Sequence, residues 1–371
     1  MRHLRRLKGF ATLLGWVSMI AVLVTASQVH AGNAARVAPN AVVDGTKAEH
    51  TLWAEKIVPI GMGTGQVNWA TMGPDGSIYL GTSLQVVRTD GSRVTYTSRT
   101  SPALAGDYVN TLYLAPNGDL YVGHNWAGIT ILRADGTVSY WNGSTTPSLS
   151  GTDIRHVWAD ANGDTYVSSK DTALDIIHPD LSVTRYTNNS QPGVVGGSTF
   201  TFRDSTTGQL YSVGGRQAPD SPGGLTIINP NGSTTHYDVN TNPGLVNNNA
   251  IHLSKDSNGD LYISHDSTFG QDGWNNDGGL SVLHTTGSVE TYQAGTTPLF
   301  PSNRVFYSWK DSRDNLYVGT SQGLWKKSTP KGIALYSSIL GSRVFLQTEV
   351  QPNGDMLVAT ENGALIIRGF K

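Results

Sequence analysis

One short pattern recurs seven times along the 371-residue chain and constrains its fold more than any other feature. It joins an Asn-Gly, Asp-Gly or related turn to a run such as Leu-Tyr-Val-Gly, as in residues 117–123. The aromatic or Leu position of the seven copies falls at Tyr79, Tyr121, Tyr166, Tyr211, Tyr262, Tyr317 and Leu357. The successive intervals are 42, 45, 45, 51, 55 and 40 residues, which is the period of one four-stranded blade of a β-propeller.

Each repeat divides into four predicted strands, named A to D in chain order. Strand A precedes the turn, strand B contains the Tyr, strand C is apolar (129–132, for example), and strand D follows a second Gly turn (138–140). The repeats supply seven B strands and six D strands, so residues 56–60 are expected to complete the last blade. We therefore predict an all-β, seven-bladed β-propeller of four-stranded blades over residues 56–371, closed by an N-terminal strand. Six or eight blades would require a missed or an invented repeat.

The first 31 residues have the three parts of an export signal. Basic residues from Arg2 to Lys8 precede an apolar run over 10–26, and residues 29–31 form a small-x-small cleavage site. We predict a signal peptide over 1–31, a linker over 32–55, and a secreted or periplasmic protein that is not stably inserted in a membrane after signal removal. An uncleaved membrane anchor is the alternative.

Charge and cysteine content exclude several classes of function. Removal of residues 1–31, which hold four basic and no acidic residues, changes the formal net charge from −2 to −6. A mildly acidic chain without a Lys/Arg cluster argues against nucleic-acid partners and anionic membrane surfaces. The absence of Cys excludes disulfides, a thiolate nucleophile and a Cys-based zinc site. We expect a monomer.

Residues 311–325, which include the run Asn-Leu-Tyr-Val-Gly-Thr and end in Gly-Leu-Trp, carry a family resemblance. This unit resembles the regulator-type propeller repeat of periplasmic sensor regions in two-component signalling proteins, and the resemblance covers about residues 56–371. The chain has Tyr where that family often has Trp, and no kinase or transmembrane output segment follows the repeats, which argues against direct signalling. The chain is more weakly similar to seven-bladed lyases that open streptogramin-type antibiotics. Those lyases use His and Glu side chains with a metal, and no motif here carries these residues over.

The alternation of antiparallel strands places the B–C and D–A loops on one face, which we call the long-loop face. The two longest repeats have insertions in their B–C loops, at residues 215–224 and 266–279. Insertions on one face are typical of a binding face, although surface loops also tolerate neutral drift. The candidate ligand-binding residues combine imidazole, carboxylate and indole groups that suit a sugar; they are His124, Trp126, His265, Asp266 and Trp274.

Strand A is the innermost strand and is predicted to line the central channel. Its equivalent positions are Trp69, Thr111, His156, Phe200, His252, Tyr307 and Gln347. If the protein is an enzyme, His156, His252 and Tyr307 are the candidate acid and base, and Arg155 and Arg304 would neutralise a substrate carboxylate, as a lyase requires. The alternative is that these positions are polar because water fills the channel.

The B–C loop of the fifth repeat also contains a candidate metal site. Asp272, Asn275 and Asp277 offer closely spaced oxygen ligands of the kind that Ca²⁺ or Mg²⁺ prefers. The spacing does not match an EF-hand, and Asp and Asn are also common turn residues. No cofactor is required by the sequence.

Three functions remain open at this level. The first is an exported binding protein that presents the long-loop face to a glycan, a small molecule or an envelope protein. The second is an extracellular or periplasmic lyase or hydrolase that acts on a carbohydrate or cyclic ester. The third is a scaffold in an envelope complex.

Overall fold

The computed structural model describes residues 57–60, 66–170, 172–187, 189–190, 193–194, 197–215, 222–241, 243–311, 313–328, 332–336, 344–350 and 355–368. The predicted signal peptide and linker lie outside these residues. The described residues all belong to one compact unit. Within the described ranges the secondary structure is β, and no helix there has the length and hydropathy needed to cross a bilayer.

The described strands form seven four-stranded antiparallel sheets and one short hairpin. Blade one consists of β2 (Trp69–Met72), β3 (Ile78–Gly81), β4 (Leu84–Val87) and β5 (Arg93–Tyr96). Blade two consists of β6 (Val109–Leu114), β7 (Leu120–His124), β8 (Ile129–Leu132) and β9 (Val138–Trp141). Blade three consists of β10 (Ile154–Ala159), β11 (Thr165–Ser169), β12 (Ala173–Ile177) and β13 (Val183–Thr187). Blade four consists of β14 (Phe200–Arg203), β15 (Leu210–Gly214), β16 (Gly224–Ile228) and β17 (Thr234–Tyr237).

The later blades follow the same order, with one insertion and one strand from the start of the propeller. Blade five consists of β18 (Ala250–Lys255), β19 (Leu261–His265), β22 (Gly279–Leu283) and β23 (Val289–Tyr292), with the inserted hairpin β20 (Phe269–Gly270) and β21 (Gly273–Trp274). Blade six consists of β24 (Val305–Lys310), β25 (Leu316–Thr320), β26 (Gly323–Ser328) and β27 (Gly332–Tyr336). Blade seven consists of β28 (Val344–Val350), β29 (Met356–Thr360), β30 (Gly363–Ile367) and β1 (Ile57–Ile60).

The first strands of the seven blades form the inner ring. Each contacts the first strand of the next blade, from β2 to β6 and onward to β28, and β28 contacts β2. The predicted all-β, seven-bladed propeller is therefore confirmed. β1 pairs antiparallel with β30, with Ile57 opposite Ile367 and Pro59 opposite Leu365. A Pro suits this position because an outermost strand can lack one backbone donor. That the β1–β30 pairing stabilises the closed ring stays a prediction.

The hydrophobic core lies between neighbouring blades. Between blades seven and one, for example, Ala70 and Leu80 are buried with Leu357 and Ala359. Every second residue of a strand faces one neighbouring blade and the intervening residues face the other, so both faces of a blade are covered. Burial of each large aliphatic side chain contributes roughly 1.5–3 kcal/mol.

Asp side chains at the ends of first strands explain why Tyr recurs in the second strands. The Asp160 carboxylate accepts hydrogen bonds from the backbone N–H groups of Asn162 and Asp164, at 2.9 and 3.2 Å, and thereby closes the turn. The Tyr166 hydroxyl then donates to the same carboxylate at 3.0 Å. Equivalent Tyr-to-Asp bonds join Tyr262 to Asp256 and Tyr317 to Asp311. The Tyr therefore stabilises the turn through its hydroxyl and packs its ring in the core.

Ion pairs join neighbouring blades on the face opposite the long loops. Lys255 in blade five bonds Asp204 of blade four, and Lys310 in blade six bonds Asp256 of blade five at 2.9 Å. The hydrogen bond from Lys255 lowers the pKa of Asp204 to about 2. This face is held rigidly by short turns and cross-blade pairs.

Candidate functional site

Six of the seven predicted channel positions have described side chains, and five of these are joined in one chain of ring contacts. The His156 and Phe200 rings lie 4.0 Å apart between centroids, Phe200 and His252 lie 4.4 Å apart, and His252 and Tyr307 lie 4.0 Å apart. Trp69 contacts His156 at 5.6 Å. With Thr111, these residues form what we call the channel layer. Gln347 lies in β28, and its side chain is outside the described part.

Burial keeps the two channel histidines neutral. Desolvation lowers the pKa of His156 to about 3 and holds the pKa of His252 well below its usual value. The Nδ1 atom of each imidazole is buried without a hydrogen-bond partner among the described residues. A neutral imidazole with so low a pKa is a poor proton donor at neutral pH, so these rings present polar atoms rather than charge to the channel.

A β-bulge recurs at the same place in four inner strands and shapes the site. Along β10, Ile154 pairs with Ser169 and His156 with Ser168, which leaves Arg155 as an extra residue. The same shift occurs in blades two, five and six. A bulge turns its extra residue away from the regular alternation. In the four blades these extra residues are Asn110, Arg155, Ile251 and Phe306.

All four bulge residues line one cavity of about 270 Å³, which we call the mouth cavity. Trp69, Phe200 and His252 from the channel layer also line it. Most of the remaining lining residues immediately precede first strands or follow second strands, which places the cavity on the long-loop face. They include Asn68, Tyr108, Lys170, Asn249, Asp266 and Arg304. The predicted channel and the predicted binding face therefore meet at one cavity.

Two of the three cations at the cavity are paired with buried carboxylates. Arg155 donates from Nη2 to Asp153 at 2.7 Å. Arg304 makes a two-point pair with Asp266, with Nε–Oδ1 at 2.7 Å and Nη2–Oδ2 at 3.0 Å. The Trp274 ring stacks on this guanidinium, with Cζ 3.5 Å from the ring centre. Asp266, Trp274 and Arg304, predicted separately, thus form one cluster.

The third cation and two neighbouring donors have no partner within the described ranges. The Lys170 side chain is half-buried at the cavity, and no described residue accepts a hydrogen bond from its ammonium group. Trp69 Nε1 and Arg155 Nε are buried donors that also lack a partner there. Buried donors without partners are rare in folded proteins and indicate a place for water or a ligand.

The predicted loop histidines lie inside the blades. His124 and His265 end second strands and are fully buried. His124 Nε2 pairs with Thr130 Oγ1 at 2.8 Å, and His265 Nδ1 pairs with Asn247 Oδ1 at 3.0 Å. Burial lowers the pKa of His124 to about 4 and that of His265 to about 3. Neither is among the described residues that line the mouth cavity.

The predicted loop tryptophans are exposed. Trp126 is 70% exposed and follows Asn125, whose N–H donates to the carbonyl of the cavity residue Tyr108. Trp274 is 42% exposed and contacts Phe269 across the inserted hairpin β20–β21. Trp126 therefore lies in the B–C loop of blade two, one residue after the backbone contact with Tyr108, and the Trp274 indole lies beside Arg304.

Two of the three candidate metal ligands form hydrogen bonds to Thr268, beside the inserted hairpin. The Asp277 carboxylate accepts from the Thr268 backbone N–H at 2.7 Å and from its hydroxyl at 2.6 Å. Asn275 Nδ2 donates to the same hydroxyl at 2.7 Å, and Asp272 is exposed near the hairpin tip. In the described ranges no group of three or more His, Asp or Glu side chains is placed to hold a metal ion. The Ca²⁺ or Mg²⁺ site stays a prediction.

Sequence reasoning did not single out Lys170 or the cavity asparagines. Lys170 directly follows strand B of its blade, one position beyond the alignment column that contains His124 and His265. That next column contains charged residues in some repeats, including Lys170 and Asp266. The repeat alignment could therefore have indicated Lys170 as a candidate site residue. The bulges gave no signal in the sequence.

No protein-family model matches the chain, and no curated protein matches it in sequence. The structure is similar to the extracellular domain of a hybrid two-component system from B. thetaiotaomicron, with a TM-score of 0.66 and 15% identity. That match covers 84% of this chain and 41% of the other, so the present chain spans about two fifths of that sensor region.

Two lyase structures are also similar. Streptogramin B lyase matches with a TM-score of 0.59 and 13% identity over 84% of this chain and 95% of its own. A catalytically inactive virginiamycin B lyase from Staphylococcus aureus with quinupristin matches with a TM-score of 0.60 and 13% identity over 84% and 98%. At these identities the likeness shows the fold alone. The two resemblances noted in the sequence are confirmed at that level, since the sensor and lyase domains are both seven-bladed propellers.

Proposed function

We propose that this protein is an exported binding protein that holds a small polar molecule in the mouth cavity on its long-loop face. The observation that carries the proposal is the cavity itself, into which the same bulge places an extra residue from four separate blades. Bulges are frequent next to functional sites because they re-aim side chains.

The dimensions and lining of the cavity support a ligand of about one sugar ring. Its volume of about 270 Å³ is close to the lower end of the range for small-molecule sites. The Phe200 and Trp69 rings offer apolar faces, while Asn110, Asn249 and Arg155 offer polar groups. This combination suits a sugar, whose ring has apolar faces and a polar edge. It also suits a small hydroxy acid.

Exposed aromatic residues beside the cavity support a ligand that extends along the face. Tyr108, which lines the cavity, is 50% exposed, and Trp126 is 70% exposed. Further units of a glycan, or a loop of an envelope protein, could stack on these rings. Aromatic residues are enriched at binding interfaces relative to the rest of a protein surface.

The same geometry favours binding over acid–base catalysis. The proposed lyase mechanism needs one of His156, His252 and Tyr307 to exchange a proton with a substrate. Both histidines are buried, contact the Phe200 ring and have strongly lowered pKa values. Residues suited to general acid catalysis have pKa values near the working pH.

Export is part of the proposal and rests on residues 1–31, whose basic, apolar and small-residue segments have the order of a signal peptide. The extracellular origin of the similar sensor domain agrees with it.

Ligand binding is tested by thermal shift on residues 32–371 with neutral and acidic sugars, hydroxy acids and divalent metal ions. A compound that binds the folded state raises the melting temperature by mass action, by several degrees at a hundred times its Kd. The variant Ile251→Trp fills the cavity and should abolish the shift. Val239→Trp, at an exposed position, is the matched control and should retain it.

Two results would contradict the proposal. A shift that survives in Ile251→Trp would place the ligand elsewhere on the molecule. The absence of a shift with every compound would favour a protein partner, which a pull-down from the envelope fraction would then identify.

A further inference from the structure

Among the residues that the structure describes, the cations around the mouth cavity outnumber the carboxylates that pair with them. The cations are Arg155, Lys170 and Arg304, and the buried carboxylates that pair with them are Asp153 and Asp266. Within the described ranges this leaves one ammonium group without a counter-charge. An unpaired cation beside a partly desolvated cavity attracts an anion, because the interaction strengthens as water is excluded.

Two residues that line the cavity each contain a buried N–H donor without a partner among the described residues. Trp69 is 4% exposed, and its Nε1 has no partner in the described part of the chain. Arg155 Nε is buried without a partner as well, although Nη2 of the same guanidinium bonds Asp153. Both atoms are donors only, so they require an acceptor such as a carboxylate oxygen.

The cavity asparagines offer hydrogen-bond acceptors rather than donors. Asn110 Nδ2 already donates to Asp153 and to the Ile154 carbonyl, at 3.1 and 3.0 Å. Asn249 Nδ2 donates to the carbonyls of Asp266 and Ser267, both at 3.4 Å. Because both N–H bonds of each amide are used, the amide oxygens are the atoms that remain for a ligand, and they accept hydrogen bonds from hydroxyl groups.

We infer that the mouth cavity recognises a small hydroxylated carboxylate, such as a sugar acid, with its carboxylate directed to Lys170 and Arg155 and its hydroxyl groups directed to Asn110 and Asn249. Arg304, which Asp266 and Trp274 already engage, forms a wall of the cavity rather than the anion site. This inference rests on the proposed function and specifies the chemical class of its ligand.

The inference is tested by calorimetric titration of residues 32–371 with matched acid and neutral pairs. The pairs are glucuronate with glucose, galacturonate with galactose, and gluconate with glucitol, and glucosamine serves as a cationic probe. We expect at least one acid to bind about tenfold or more tightly than its neutral partner, as a charge-assisted hydrogen bond gives. We also expect the difference to shrink with added salt.

Variants of Lys170 separate charge from shape. Lys170→Met should reduce the affinity for that acid by about tenfold and leave the affinity for the neutral sugar unchanged, while Lys170→Arg should restore most of the acid affinity. Lys327→Met, which removes a partly exposed ammonium from strand β26, is the control and should have no effect.

The outcomes distinguish the inference from the proposed function. Equal affinity for acid and neutral partners, stronger binding of glucosamine, or an acid affinity unchanged by Lys170→Met would overturn the carboxylate assignment and leave small-molecule binding intact. Binding of the acid that survives the cavity-filling change Ile251→Trp would overturn both.

Discussion

Two buried threonines show how the channel differs from the interior of a blade. Thr130 Oγ1 accepts from the Ala105 N–H at 2.8 Å and pairs with His124 Nε2 at 2.8 Å. Thr111 is equally buried, but its Oγ1 has no partner among the described residues. A buried hydroxyl is costly unless it is hydrogen-bonded, so the two residues should respond in opposite ways to loss of the hydroxyl.

We therefore expect Thr111→Val to leave the free energy of unfolding unchanged or to raise it by up to about 1 kcal/mol, because it removes an unsatisfied hydroxyl at nearly constant volume. The matched change Thr130→Val should lower it by about 1–3 kcal/mol, because two partners lose their bonds. Urea denaturation of the two variants and the wild type measures both values. Equal losses in the two variants would show that ordered water in the channel satisfies Thr111.

The sequence predicts which residues line the channel better than it predicts their surroundings. His156, His252 and Phe200 meet as expected because a repeating strand register fixes which residue of each blade faces the axis. The burial of His124 and His265 could not be foreseen, since it depends on contacts with Thr130 in the next strand and with Asn247 in the preceding D–A loop. Hydrogen-bond partners of this kind depend on tertiary packing, which one sequence does not encode locally.

At the level of strands, the repeat predicted the blades, while the bulges became visible only in the structure. The seven second strands lie where the Leu-Tyr-Val-Gly pattern places them. Along the first strands, however, one extra residue in blades two, three, five and six interrupts the pairing with the second strand. These extra residues differ in type, as Asn110 and Arg155 show. No sequence pattern therefore indicated that they would line the same cavity.

The last predicted element is β1, the outermost strand of blade seven. Val58 is half-buried and packs against the cluster between blades seven and one, which includes Leu357 and Leu80. We expect Val58→Asp to lower the melting temperature by several degrees, because a carboxylate at this contact must either be desolvated or detach the strand. The matched change Val239→Asp at an exposed position should shift it by less than about one degree.

Differential scanning calorimetry of the two valine variants decides the role of β1. An unchanged melting temperature in Val58→Asp would show that the pairing of β1 with β30 contributes little to the closed ring. A loss confined to this variant would support closure by the N-terminal strand, with the exposed edge of β30 as the cause of the instability.

Across the whole molecule, the two faces of the propeller differ in how their polar side chains are paired. Short turns and cross-blade pairs such as Lys310–Asp256 hold one face. The other face carries the cavity, Lys170, which has no partner in the described part of the chain, and the exposed Trp126. Insertions and unmatched polar atoms are tolerated there because the opposite face and the inter-blade cores already fix the ring.

Four buried histidines distributed around the ring should make the whole molecule sensitive to acid. Burial lowers the pKa of His124 to about 4, lowers those of His156 and His265 to about 3, and holds that of His252 well below its usual value. In the unfolded chain each titrates near pH 6.5. Above that pH all four are neutral in both the folded and the unfolded state, so they do not make the free energy of unfolding depend on pH. Below it the unfolded chain binds protons that the folded chain excludes, so stability is lost as the pH falls.

We therefore expect the free energy of unfolding to fall by roughly 1.4 kcal/mol per pH unit for each of these histidines between about pH 6 and pH 4.5. Denaturant titrations at a series of pH values measure this slope. His156→Phe keeps an aromatic ring against Phe200 but removes one titrating group, so its slope should be smaller than the wild-type slope by roughly 1.4 kcal/mol per pH unit. A free energy of unfolding that stays level from pH 7 to pH 4.5 would show that these imidazoles accept protons within the fold, in which case His156 and His252 would again be candidates for acid–base chemistry in the channel.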